Sequence, residues 1–369
     1  MSNFNQNNER IKRRYFAYLQ EAQRYSVSTV DAVAKSLSRF EVDTKYKDFR
    51  AFHFEQAIAF KRRLVERPSD RTGAKLSKAT AHAMLANLKR FFHWLAGQPG
   101  YKSRLQFSDS DYFNLSEKDV RIATSRREQR VPTLEQIHHV LEKMPIGDEV
   151  QLRNRAVIAF TLLSGARDSA IASMKLKHVD MAQSTVFQDA REVKTKFSKS
   201  FKSTFFPVGG PALAIVSNWI SFLRETKLRD GDAPLFPSVH IGMSIEQQFE
   251  AAGLGATGWK SAGPIRKIFR DAFEAAGLPH FPPHSFRHTL VKLGETLCKT
   301  PEEFKAWSQN MGHEGVLTTF VSYGTVSGAR QNELLRSMGA PGGESTTEMD
   351  KNVEAALVRL LARIPSPST

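Results

Sequence analysis

Pro283-His284-Ser285-Phe286-Arg287-His288-Thr289 is the stretch from which the rest of the chain can be placed. Pro282 and Pro283 stand where a helix can begin but not continue, so the apolar run Ser285–Cys298 reads as a helix with His284, Arg287 and His288 at its start. His280, His284 and His288 also fall at i, i+4 and i+8, a spacing that on one helix would suit a metal ion. The two prolines interrupt that helix, and no cysteine or carboxylate lies nearby to complete a ligand set, so no metal is assigned.

Working outward, three more segments hold residues suited to the same chemistry. Upstream, Leu162-Leu163-Ser164-Gly165-Ala166-Arg167 ends an apolar helix in a Gly and then an Arg. Between them, Val193-Lys194-Thr195-Lys196-Phe197-Ser198-Lys199 is a Lys-rich link between two strand-like runs, Thr185–Ala190 and Phe201–Val208. Downstream, Met311-Gly312-His313 is followed ten residues after the histidine by Tyr323. Alone, each has a bland reading: a surface arginine, a solvated hairpin tip, a structural histidine or tyrosine. Together and in this order they can surround one phosphodiester. An arginine fork donates two parallel hydrogen bonds to phosphate oxygens and stays charged. A tyrosine hydroxyl can attack phosphorus and hold the phosphoryl group covalently. A lysine or histidine can protonate the leaving oxygen. The arginines supply the electrostatic stabilisation that a metal ion supplies elsewhere, so the set calls for no cofactor.

With these motifs the sequence resembles the tyrosine recombinases of the phage integrase family, site-specific DNA recombinases. The resemblance implies a mainly α protein: an N-terminal helical core-binding bundle (a SAM-like DNA-binding domain) over residues 9–120, and a mostly helical α+β catalytic domain with a small antiparallel sheet over residues 132–338. It implies that Arg167 and Arg287 grip the scissile phosphate, that His284 assists proton transfer and that His313 hydrogen-bonds the phosphate. Tyr323 would be the nucleophile, giving a 3′-phosphotyrosyl link and a free 5′-hydroxyl. The general acid would be Lys196, with Lys194 the alternative, and His288 would stand behind Arg287 without reacting. Two departures stand out. The acidic residue common three positions after the first arginine is Ala170 here, with Asp168 the nearest substitute, and the His313 to Tyr323 interval is ten residues where nine is usual.

Charge and organisation fit a polyanionic partner. The 369 residues carry 53 Lys and Arg against 38 Asp and Glu, for a net charge of +15. Residues 1–130 hold 26 basic and 14 acidic residues, the remainder 27 and 24, so nearly all the excess lies in the first third. Residues 1–8 are expected to be disordered. Four helices follow, from Asn8 to Tyr25, after a Ser28 or Thr29 cap, from Arg50 to Glu66 and from Ser77 to Ala96. Residues 121–131, with Arg121, Arg126, Arg127 and Arg130, read as a basic linker. Lys78 and Lys89 are further candidates for DNA contact, and such contacts would make binding steeply salt-dependent. Pro132-Thr133 then opens a capped helix over Leu134–Lys143. Residues 339–369 read as a linker and an amphipathic helix (Val353, Leu357, Leu360, Ile364) of the kind the family exchanges between protomers.

A single cysteine, Cys298, excludes a disulfide framework. No apolar run approaches the length of a membrane span, and residues 1–8 lack a signal-peptide pattern. The expected setting is cytoplasmic, at the bacterial nucleoid. The expected partners are double-stranded DNA with a specific core site, further copies of the chain in a tetramer on DNA, and an accessory DNA-bending or directionality factor. The rivals are a type IB topoisomerase-like enzyme with the same tyrosine chemistry and a catalytically silent DNA-binding protein on the same fold.

Overall fold

A computed structural model of the chain describes residues 4–66, 73, 75–125, 130–243 and 249–313. They form two compact units, divided between Arg127 and Glu128.

The first unit is helical. Its helices are α1 (Gln6–Ala17, continued by a wider turn over Tyr18–Ala22), α2 (Val27–Asp43), α3 (Phe54–Glu66), α4 (Lys78–Ala96) and α5 (Glu117–Thr124). Their apolar faces meet in a core rich in phenylalanine, where Phe40, Phe49, Phe52, Phe60, Phe91, Phe92 and Phe113 are buried. Aromatic edges and faces pack there in several orientations, with Phe52 stacked on Phe92 at 3.9 Å. Two expectations are corrected. Residues 5–8 are ordered: the Asn5 side chain caps α1 through the amides of Asn7 and Asn8. Asn8 is fully buried, donating to Glu41 and accepting from the Phe49 amide. The segment from residue 121 is also helical as far as Thr124, because Ser116 caps α5.

The second unit is built around α7 (Glu149–Ser164), which is buried on all sides from Ala156 to Ser164. Around it stand α6 (Leu134–Lys143), the single turn α8 (Asp168–Ile171), α9 (Ala212–Ser221), α10 (Gly263–Ala275), α11 (Pro283–Leu297) and α12 (Pro301–Asn310). Thr133 caps α6 and Thr300 caps α12, each in a reciprocal pair with the residue three positions on, Gln136 and Glu303. Prolines occupy the first helical position of α11 and α12, where the missing N–H costs nothing.

The expected hairpin is present but is part of a larger sheet. Strands β1 (Val179–Asp180), β2 (Thr185–Gln188) and β3 (Phe201–Thr204) pair antiparallel in the order β1-β2-β3, with Thr185 opposite Thr204 and Gln188 opposite Phe201. The strands are shorter than the sequence suggested, since Phe206 leaves the sheet to donate to the carbonyl of Leu163 on α7. A second pair, β4 (Val239–Met243) and β5 (Phe249–Leu254), was not anticipated. One buried hydrogen bond ties the start of this unit to α11: Thr289 donates through Oγ1 to the carbonyl of Pro132 at 2.6 Å. Among the described residues no helix is long and apolar enough to cross a membrane.

Candidate active site

Gly165 ends α7 in a left-handed conformation, with φ of 59°. A Cβ there would press on Leu290 Cδ1 and Phe206 Cε2, each at 3.1 Å, so glycine is required twice over. The turn brings Arg167 to the position just before α8 and leaves the Gly165 carbonyl facing α11. There Arg287, only 2% exposed, receives it: Nη1 donates to Gly165 O, and Nη2 donates to Met311 O at 2.7 Å. Nη2 also lies 2.9 Å from His313 Nε2. A guanidinium can only donate, so Nε2 is the acceptor and the neutral imidazole carries its proton on Nδ1. One arginine therefore ties the ends of α7, α11 and α12 into a single point.

Both histidines are held neutral. His313, 7% exposed, is pushed down to about 4 by burial first and then by the charges of Arg287, Arg167 and Lys196. His284 is also lowered to about 4, by desolvation first and then by Arg287, His288 and Arg167, with Asp168 opposing. His288 packs edge-on against His284 at 5.4 Å between ring centres. Arg167, Lys196, His284, Arg287 and His313 thus share one electrostatic neighbourhood, assembled from residues 146 positions apart at the extremes.

The two hairpin lysines are treated differently. Lys194 is held locally: its amide donates to Ser173 Oγ at 2.8 Å, and its Nζ donates to the Lys260 carbonyl at 3.2 Å. Lys196 opens a short 3-10 turn, is exposed, and is the lysine whose charge acts on His313. Ala170 is buried, and the carboxylate near the first arginine is Asp168, which accepts from Arg266 Nε of α10 at 2.7 Å. Arg266 was not foreseen; it lies 98 residues away and carries no local signal.

Of the basic candidates in the first unit, Lys78 pairs with Asp119 at 2.7 Å and Lys89 with Asp111 at 2.8 Å. Both pairs fasten α4 to the segment that follows it. Arg130 is exposed, while Arg126 and Arg127 lie outside the described residues. Tyr323 and the segment 339–369 also lie outside them.

A mostly helical unit with a small antiparallel sheet, gathering arginines, histidines and a lysine at one point, has the form of the tyrosine recombinases, which are DNA strand-transferring enzymes. The family model described as Phage integrase family matches residues 110–329, and the chain belongs to that family. Among its relatives, tyrosine recombinase XerC of Halalkalibacterium halodurans is 27% identical over 204 residues, covering 55% of this chain and 60% of that protein. Tyrosine recombinase XerC of Lactobacillus leichmannii is 22% identical over 324 residues, covering 84% and 92%. The fold is shared with a lambda integrase dimer bound to a COC′ core site (TM-score 0.56, 12% identity, 85% of this chain and 93% of that one). It is also shared with the Tn1549 transposon integrase in complex with transposon right end DNA (TM-score 0.56, 16% identity, 89% and 99%).

Proposed function

We propose that this protein is a site-specific recombinase or integrase that cleaves and rejoins duplex DNA through a 3′-phosphotyrosyl intermediate. The observation that carries the reading is the convergence of Arg167, Lys196, His284, Arg287 and His313 on one cationic point with both histidines kept neutral. Such a point suits a single phosphodiester, whose non-bridging oxygens the cationic groups would stabilise, with His313 as a hydrogen-bonding imidazole.

In the forward step the Tyr323 hydroxyl gives up its proton, with His284 assisting, and its oxygen bonds to phosphorus. The bond from phosphorus to the 5′ oxygen breaks, and Lys196 Nζ supplies the proton that makes the leaving group a free hydroxyl. A 5′-hydroxyl of a partner strand then reverses the step. One phosphoester is exchanged for another, so neither nucleotide hydrolysis nor a metal ion is needed. The influence of Lys196 on His313 supports it over Lys194 as the acid.

The partner in this reading is double-stranded DNA with a core site, drawn into place by the basic first third. Assembly into a tetramer on DNA through residues 339–369, and control by an accessory bending or directionality factor, complete the proposal.

The test is a covalent adduct. A core duplex selected from a random pool by binding, then nicked beside the scissile phosphate, should trap the protein on DNA in a denaturing gel. Tyr323→Phe should abolish the band. A band that persists in the variant would remove the nucleophile assignment, and binding without any adduct would leave a silent DNA-binding protein.

A further inference from the structure

β3 is an edge strand of its sheet, and at Thr204 its backbone meets the side chain of Asn310 from α12. Asn310 Oδ1 accepts from the Thr204 amide at 2.7 Å, and Nδ2 donates to the Thr204 carbonyl at 2.8 Å. A carboxamide thereby supplies the rung that a fourth strand would supply. Its orientation is fixed by chemistry, because the amide needs an acceptor and the carbonyl needs a donor. Two residues on, Gly312 adopts φ of 74° and lies so close to the Phe201 ring that a Cβ would sit 2.6 Å from Cζ. Both ends of β3, Phe201 and Thr204, are therefore pressed or bonded to the turn that presents His313. Lys196 stands five residues before Phe201 on the same segment.

We propose that Asn310 is a positioning residue that splices the His313 turn to the strand following Lys196, so that the phosphate-binding groups and the proton donor keep one spacing. This rests on the proposed strand-transfer chemistry. Asn310 is not needed to hold α12 in place. The helix has its own Thr300–Glu303 cap, buried Phe304, and a bond from Trp307 Nε1 to the Leu290 carbonyl of α11 at 3.0 Å. Loss of Asn310 should leave His313 against Arg287 and release the hairpin that carries the lysine.

The experiment compares wild type, Asn310→Ala and Asn310→Asp in single-turnover cleavage of two nicked duplexes. One has the ordinary scissile phosphodiester. The other has sulfur in place of the bridging 5′ oxygen, and its thiolate leaves without needing a proton. Asn310→Ala should cleave the ordinary duplex about 10- to 100-fold more slowly, the scale of a misplaced catalytic group. Its DNA affinity should be unchanged and its rate on the sulfur duplex that of wild type. Asn310→Asp should behave like Asn310→Ala, since a carboxylate cannot donate to the Thr204 carbonyl. Equal slowing on both duplexes, no slowing on either, or full activity in Asn310→Asp would overturn the proposal. Wild type and Tyr323→Phe run alongside: a wild type without an adduct removes the strand-transfer reading itself, whereas a normal adduct with an unaffected Asn310→Ala removes only the splice.

Discussion

At the scale of single residues, Arg287 and His313 set the character of the site. Burial of the imidazole, and after it the guanidinium against its nitrogen, make a positive charge there expensive, so His313 stays neutral well below its ordinary range near 6.5. The consequence for stability has a definite sign. The unfolded chain takes up a proton on this histidine near pH 6.5, whereas the folded chain does so only near 4. Between those values the unfolded state binds more protons, so stability falls as pH is lowered through that window. The thermal midpoint should drop on acidification from pH 7 to 5, and His313→Asn should flatten part of that slope. A titration of His313 by NMR with its midpoint at 6.5 would contradict this account. The sequence singled out Arg287 and His313 as residue types, but their mutual distance was not in it, because 26 positions and two helix ends separate them.

At the scale of elements, caps explain what was legible. Thr133 before Leu134–Lys143 and Pro283 opening α11 are local signals, and the helices begin where those signals stand. The β4–β5 pair has no comparable signal: although its strands lie close in sequence, they hold two glycines and two alanines, residues of low strand propensity. β1 is only two residues long and exists because β2 pairs with it. The α7 to α8 corner is the element most exposed to substitution. Gly165→Ala would add about 1–2 kcal/mol of left-handed strain, besides the contacts with Leu290 and Phe206. Because the Gly165 carbonyl is also a seat for Arg287, cleavage should fall by more than the stability loss explains. A denaturant titration beside single-turnover cleavage rates checks this; proportionate losses would argue that the corner is structural only.

At the scale of the whole molecule, the charge asymmetry read from the sequence maps onto the two units, with the basic excess in the first. Which of its cations meet DNA was not legible, since exposed charge carries no local pattern. The structure gives Lys78 and Lys89 carboxylate partners that no periodicity could foretell. The Thr289 to Pro132 bond has a practical consequence for anyone dissecting the chain into autonomous fragments. A C-terminal piece beginning at residue 130 retains the Pro132 carbonyl. One beginning at Leu134 deletes both that carbonyl and the Thr133 cap of α6. The shorter piece should be about 1–3 kcal/mol less stable and more readily digested by protease, since a buried hydroxyl loses its acceptor and α6 loses its cap. Equal protease resistance of the two fragments would show that the seam tolerates trimming. Two residues before Thr289 stands Arg287, so a cut chosen for convenience in this seam would be felt in the helix that joins Gly165, Met311 and His313.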